Sequence, residues 1–98
     1  VGVLDELFWT DELTLRYGIG EILYGHDAIA AFRSARSPVG LARTTGPVIV
    51  TTYGQDFGTA NLEFKRASID GVGRQSQSWA RMPEGWRIVA AHVSVIKL

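Results

Sequence analysis

The sequence predicts an α+β domain built on one mostly antiparallel sheet. Residues 13–18, LTLRYG, alternate apolar and polar side chains with the period of two that is typical of a half-buried strand. Residues 26–36, HDAIAAFRSAR, carry apolar side chains at helical spacing, and from Pro47 onward the pattern is that of strands alone. A chain of 98 residues holds one modest core, so we expect residues 1–98 to form a single domain.

The first nine residues, VGVLDELFW, place Leu4, Leu7 and Phe8 at helical spacing. The segment has neither an initiating Met nor the basic and apolar regions of a signal peptide. We therefore expect the chain to begin inside a helix and to be trimmed at its N-terminus.

Two short strands and a second helix follow. LTLRYG and EILYG form a hairpin that turns at residues 18–20. The helix over residues 26–36 has Asp27 near its start and Arg33 and Arg36 near its end, as the helix dipole prefers. SPVG, at residues 37–40, is expected to end it.

The C-terminal half is predicted to form two hairpins. In VIVTTYGQDFGTANLEFKR, residues 48–66, the turn lies at residues 54–56, and the second arm sets Ala60, Leu62 and Phe64 against polar neighbours. RQSQSWARM and WRIVAAHVSVI form the second hairpin, which turns at residues 83–85, PEG.

Neither face of the last strand carries a charged residue after Arg87. A regular alternation would assign its residues to two faces: Val89, Ala91, Val93 and Val95 on one, and Ile88, Ala90, His92, Ser94 and Ile96 on the other. Both faces should then be covered, and the chain has too few helices to cover both. We therefore expect a second copy of the sheet to cover one face, which makes the protein a homodimer.

Net charge and cysteine content exclude several classes of function. Ten Lys and Arg balance ten Asp and Glu, so we expect no nucleic-acid partner and no anionic membrane partner. The chain has no Cys and its two His lie far apart, so we expect no thiolate nucleophile and no metal site. No apolar run reaches the ~18 residues of a membrane helix. We expect a cytoplasmic protein that handles small ligands or protein partners.

The motifs in combination resemble one family. LDELFWTDELTLRYGIGEILYGHDAIAAFRSAR, TTYGQDF and GRQSQSWARMPEGWRIVAAHVS are similar to segments of the AtzH-like proteins, including the oxalurate-catabolism members. That family lies in the NTF2-like superfamily, together with SnoaL-like and ketosteroid isomerase-like proteins. The resemblance implies a cystatin-like cone, in which a curved, mostly antiparallel sheet wraps around helices and encloses a small-molecule pocket.

The resemblance also implies an activity and a candidate catalytic residue. At least one AtzH-like protein is a decarboxylating amidohydrolase that acts on small carboxylated ureas in cyanuric acid breakdown, and others accompany ureide-degrading amidases. The family's proposed catalytic pair is an Arg in a T-x-R-x-G strand and a Tyr on the first helix. Arg16, in TLRYG, matches the Arg, whereas the Tyr would lie before Val1.

Arg16 has two interpretations. In the first, its guanidinium points into the pocket, holds a substrate carboxylate through two parallel hydrogen bonds and stabilises developing negative charge. In the second, it lies on the solvent face of an edge strand and pairs with Asp11 or Glu12. The family resemblance favours the first.

Gln75 and Gln77 share a strand face with Trp79, and we predict that these three residues line the pocket. Amides suit a planar, urea-like substrate because each offers both a donor and an acceptor. The alternative is that Ser76 and Ser78 face inward, or that a bulge exchanges the two faces along the strand.

His92 and Ser94 are further candidate substrate-binding residues, on the last strand. An imidazole there could act as a general base. The alternative is a histidine with satisfied hydrogen bonds in the core or at an interface. The two residues do not form a triad, because residues two apart in a strand lie side by side and no acidic third member is evident.

The leading hypothesis is a cofactor-independent enzyme that acts on a small carboxylated amide or urea, with Arg16 as carboxylate anchor and electrostatic catalyst. The alternative is a non-catalytic ligand-binding or accessory subunit of an amidase, because one fold supports many functions. Proton transfer of the ketosteroid isomerase kind is disfavoured, because it needs a carboxylate base that neither Arg16 nor Gln77 can supply.

Overall fold

The alternating segments of the sequence form the strands of one sheet. The computed structural model describes residues 7–35, 44–66 and 70–97 of the chain. Within these ranges the elements are β1 (Leu15–Tyr17), β2 (Ile22–Tyr24), α1 (His26–Ala35), β3 (Thr44–Tyr53), β4 (Phe57–Lys65), β5 (Val72–Met82) and β6 (Gly85–Ile96). The predicted α+β class is confirmed.

The sheet combines a C-terminal meander with two short N-terminal strands. Its strand order is β2-β1-β6-β5-β4-β3, and all neighbours are antiparallel except β1 and β6, which run parallel. Leu23 of β2 and Ala91 of β6 lie opposite Arg16 on either side. Because β1 is enclosed between two strands, Arg16 does not lie on an edge strand.

Each of the two predicted hairpin turns contains a glycine with a positive φ. Gly54, in the turn between β3 and β4, has a φ of 73°, and Gly85, at the start of β6, has a φ of 121°. Both values lie in the region that residues with a Cβ rarely adopt. β3 begins at Thr44, before the expected start at Pro47, and its register with β4 shifts between Thr45 and Val48.

The alternation predicted for the last strand is wrong at one point. Ser78 of β5 lies opposite Ala90, whereas Trp79 lies opposite Ile88, so β6 carries an extra residue, Val89, at this position. An extra residue in one strand is a β-bulge, and it reverses the faces on its two sides. Ile88 therefore lies on the same face as Ala91, not on the opposite one.

The helix α1 lies against β1 and β2 on one face of the sheet, which we call the helix face. Gly25, which follows β2 and has a φ of 89°, donates its N–H to the carbonyl of Thr14, so the start of α1 is fixed to the loop before β1. Asp27 lies in the first turn of α1 and Arg33 in the last, as predicted from the dipole. Ile29, on the buried side of α1, packs with a core cluster whose other members are Phe8, Ile88 and Ala91.

The opposite face, which we call the open face, carries exposed apolar side chains. By strand register it holds six large apolar residues with exposed fractions of 40–68%: Ile22, Tyr24, Ile49, Tyr53, Phe57 and Ile96. In the parts of the chain that the structure describes, the one helix of several turns lies on the other face.

Three expectations fall mainly outside the described residues. The opening helix is represented only by Leu7, which is helical, while Phe8 forms a parallel bridge to Ile88. The proposed end of α1 at residues 37–40 and the contribution of Arg36 also lie outside them. Within the described ranges, no helix is both long and apolar enough to cross a membrane.

Candidate functional site

Among the residues that the structure describes, Arg16 is the buried charged residue on the helix face. Its exposed fraction is 8%. Its Nη1 donates to Oε1 of Glu21 at 2.5 Å, and the two side chains are 10% and 22% exposed. The partner is therefore Glu21, on the far side of the turn, and not Asp11 or Glu12, the partners suggested for a solvent-facing Arg16. A guanidinium this buried is stable only because a carboxylate compensates its charge.

The helix α1 contributes an aromatic ring to the same group. The guanidinium carbon of Arg16 lies 5.7 Å from the centre of the Phe32 ring. An Arg at that distance from a ring is attracted by the electrons of the ring face. Glu21 and Phe32 together restrict where the guanidinium can lie, which preorganises it for an anionic ligand.

The turn between β1 and β2 holds the Glu21 carboxylate. Gly18 donates its N–H to the carbonyl of Glu21 at 2.9 Å, and Gly20 donates its N–H to Oε2 at 3.2 Å. A Cβ on Gly18 would overlap the carboxylate. Sequence analysis identified the glycines of YGIGE only as turn residues and missed Glu21. An acidic residue that directly follows two closely spaced glycines was the available signal.

Gln75, Gln77 and Trp79 lie on the same face as Arg16. Ala91 lies opposite Arg16 on one side and opposite Gln77 on the other, so a single row across the sheet runs from Arg16 through Ala91 to Gln77. All three β5 residues are partly buried. Trp79 donates its indole N–H to Oε1 of Gln77 at 3.1 Å, which orients the amide.

His92 and Ser94 lie on the open face, away from this row. They alternate with Ala91 and Val93, which are buried on the helix face. His92 is exposed, and its ring lies 5.8 Å from that of Tyr17, edge to face. The structure thus divides the six residues predicted from the sequence into two groups on opposite faces, and only the Arg16 group has a buried charge.

A cavity of about 320 Å³ lies farther along the helix face, near the turn between β3 and β4. Its lining residues are Val50, Thr52, Gly58, Thr59, Ala60, Trp79 and Trp86. Trp79 is the only predicted site residue among them. Because the lining carries no charged side chain, the cavity offers apolar contact, and the polar chemistry lies at Arg16 and Gln77.

The described residues do not form a metal centre. Within residues 7–35, 44–66 and 70–97, no three His, Asp or Glu side chains are placed to hold one ion. The acidic side chain that approaches the site is Glu21, and Arg16 already binds it. The polar groups of the site are thus a guanidinium, a carboxylate and amides.

Comparison with known proteins assigns the family. The model of the AtzH-like family matches residues 1–98. The chain belongs to the AtzH-like family. This AtzH-like chain is 56% identical to a DUF3225-family protein of unknown function from Pectobacterium atrosepticum, with a TM-score of 0.92 over 98% of this chain and 75% of that one. A search of curated proteins found no match.

Two further solved structures are also similar to this chain. A cystatin-like fold protein from Burkholderia xenovorans is 44% identical, with a TM-score of 0.91 over 99% of the AtzH-like chain and 77% of its own. An NTF2-like superfamily protein from Salmonella enterica is 26% identical, with a TM-score of 0.74 over 95% of this chain and 75% of that one. The AtzH-like chain therefore has the NTF2-like, cystatin-like fold that the resemblance implied, a fold that binds small molecules.

Proposed function

We propose that this AtzH-like protein is a cytoplasmic enzyme that cleaves a C–N bond in a small carboxylated amide or urea, with Arg16 as the anchor of the substrate carboxylate. The observation that carries the proposal is the position of Arg16. Its guanidinium is buried on the helix face, in the same row of the sheet as the Gln77 amide.

The spacing of the row suits a small ligand. Neighbouring strands lie ~4.8 Å apart, so Arg16 and Gln77, two strands apart, have Cα atoms separated by roughly 10 Å. The residue between them, Ala91, has a short side chain, while Arg16 and Gln77 have long ones. One small molecule can therefore contact the guanidinium through its carboxylate and the Gln77 amide through its urea or amide carbonyl oxygen.

The Arg16 guanidinium can also stabilise the negative charge that develops when an amide or urea is cleaved. When water attacks the carbonyl carbon of an amide or urea, a C–O bond forms and negative charge develops on the carbonyl oxygen. The C–N bond then breaks, the departing nitrogen leaves with the bonding electrons and takes up a proton, and the hydroxyl from water stays on the carbonyl carbon. A preorganised donor that faces the developing charge contributes about 3–4 kcal/mol in sites of this kind. The Tyr that the family resemblance places before Val1 is the expected proton-transfer partner.

The proposal is tested by calorimetric titration with ureidoacetate, a small ureido acid. Arg16→Lys keeps the positive charge but loses the planar fork that binds a carboxylate through two hydrogen bonds. We expect its affinity for ureidoacetate to fall about tenfold or more. Arg81→Lys is the matched control, because Arg81 pairs with Asp56 in an exposed position, with side chains 52% and 75% exposed.

The same titration separates the enzyme from the accessory subunit. Equal affinities for the wild type and Arg16→Lys would contradict an anchoring role for Arg16. If neither protein binds ureido acids and the chain instead co-purifies with an amidase, the non-catalytic interpretation replaces the enzyme. Substitution Gln77→Leu should weaken ligand binding while leaving the melting temperature close to that of the wild type, because Gln77 is only partly buried.

We further propose that the protein is a homodimer through the open face. The six exposed apolar residues of that face, from Ile22 of β2 to Ile96 of β6, support it because isolated chains rarely expose so many large apolar side chains on one surface. Light scattering at micromolar concentration should give twice the monomer mass. Ile49→Asp, which places a charge on the open face, should give the monomer mass, and a wild-type monomer would overturn the proposal.

A further inference from the structure

The Glu21 carboxylate belongs to the candidate site. One of its oxygens, Oε1, accepts from Arg16 and the other, Oε2, accepts from the N–H of Gly20. The Glu21 side chain is 22% exposed, more than the 10% of Arg16.

Each member of the pair keeps hydrogen-bonding capacity. A guanidinium has five N–H donors and a carboxylate about four acceptor positions. Among the described residues, the Nη1 bond uses one of the donors, and the bonds from Arg16 and Gly20 use two of the acceptor positions. A ligand can thus meet donors on Arg16 and acceptors on Glu21 without separating the two side chains.

We propose that Glu21 is a specificity-determining residue of this site. Its carboxylate accepts the N–H groups of the ligand while Arg16 holds the ligand's carboxylate, so the site selects ureido and amido acids over plain carboxylic acids. This inference rests on the proposed function of Arg16. It deepens that function, because an Arg alone binds any small carboxylate, whereas the Arg16–Glu21 pair distinguishes what the carboxylate is attached to.

The zero net charge of the Arg16–Glu21 pair favours a ureido group over a second carboxylate in the ligand. Arg16 and Glu21 together are neutral, so the pair has no net attraction for a second negative charge. A dicarboxylate brings its second carboxylate near Glu21 and is repelled, whereas a ureido group brings N–H donors, which a carboxylate binds strongly. The pair therefore favours the ureido group and disfavours a second acid.

Gly18 is the position that permits this arrangement. A Cβ there would overlap the Glu21 carboxylate, so any larger residue moves the carboxylate away from its place beside Arg16. The backbone of Gly18 has no left-handed φ, so alanine fits its conformation. Gly18→Ala thus displaces the carboxylate without removing its charge.

Three ligands of one shape test the inference. Ureidoacetate, levulinate and succinate have the same arrangement of heavy atoms and one carboxylate in common. They differ at the other end, where ureidoacetate has N–H groups, levulinate has a methyl ketone and succinate has a second carboxylate. Calorimetric titration of the wild type should rank their affinities in that order.

The variant Glu21→Gln should reduce this selectivity. It removes the negative charge and replaces a charge-assisted hydrogen bond by a neutral one of about half the strength. We expect the preference for ureidoacetate over levulinate to fall by about fivefold or more, and the affinity for succinate to rise. Glu84→Gln, the same change at an exposed residue of the β5–β6 turn, should leave all three affinities unchanged.

The outcomes separate this inference from the proposed function. If ureidoacetate binding depends on Arg16 but Glu21→Gln keeps the wild-type ratios, the inference is overturned and the carboxylate anchor stands. If no ligand of the panel binds the wild type, both are overturned. Should Glu21→Gln fail to fold, Gly18→Ala takes its place, with the same expected fall in selectivity and the same unchanged ratio as the contrary result.

Discussion

The strength of the Arg16–Glu21 ion pair can be predicted from its burial. A double-mutant cycle with Arg16→Gln, Glu21→Gln and the double variant isolates the interaction between the two side chains. The pair lies between two limits, because its side chains are 10% and 22% exposed. Exposed pairs contribute ~0–1 kcal/mol, whereas removing one partner of a buried pair costs ~3–5 kcal/mol.

The expected coupling energy follows from these limits. Opposite charges about 4 Å apart attract by roughly 4 kcal/mol at an effective dielectric constant near 20. Solvent around these partly exposed side chains screens much of that attraction. We therefore expect a coupling of about 1–2 kcal/mol. Glu21→Gln should also cost more than Arg16→Gln, because it leaves behind the more buried of the two charges.

Urea unfolding followed by tryptophan fluorescence measures the four free energies of unfolding. A second cycle on Arg81 and Asp56 is the control, and we expect about 0.5 kcal/mol or less there, because those side chains are 52% and 75% exposed. A coupling at Arg16–Glu21 no larger than in the control would refute the view that burial makes this pair strong.

Two further predictions concern Tyr17 and Gly73. The hydrogen bond to Tyr24, the nearby Tyr24 hydroxyl and partial burial raise the pKa of Tyr17 above its ordinary value of 10.0. Any stability gained in this way is fully present below that value and is lost as the pH rises through the pKa of the folded protein. Tyr24→Phe should lower the pKa of Tyr17, which an NMR pH titration of the Tyr17 ring signals measures, and an unchanged Tyr17 midpoint would contradict this. Gly73→Ala should lower the free energy of unfolding by ~1–3 kcal/mol, because the added Cβ would overlap the ring of Phe64, which is 1% exposed. Wild-type stability in urea would show that the ring can move aside.

Local patterns were sufficient to predict most of the fold. The period of two in LTLRYG and in the C-terminal half predicted the strands, and PEG predicted the last turn, because these signals depend only on residues adjacent in sequence. The bulge at Val89 was not predicted, because it depends on how β6 pairs with β5. It moved Ile88 to the helix face, a one-residue change that alternation alone cannot foresee.

The sequence likewise predicted only some of the residues of the candidate site. The family motif identified Arg16, and alternation placed Gln75, Gln77 and Trp79 on one face of β5. His92 and Ser94 were expected in the same site, but they alternate with buried residues and lie on the open face. Glu21 was missed because its approach to Arg16 depends on the conformation of the turn between β1 and β2.

The sequence by itself determined which segments are strands, where the turns lie and which family the chain resembles. These properties follow from side-chain periodicity, glycine conformation and local motifs. The tertiary structure alone decided that Arg16 shares a face with Gln77, that Glu21 compensates its charge and that His92 faces away. Such contacts depend on strand register and on a parallel pairing between residues more than seventy positions apart, such as Arg16 and Ala91, which no local pattern records.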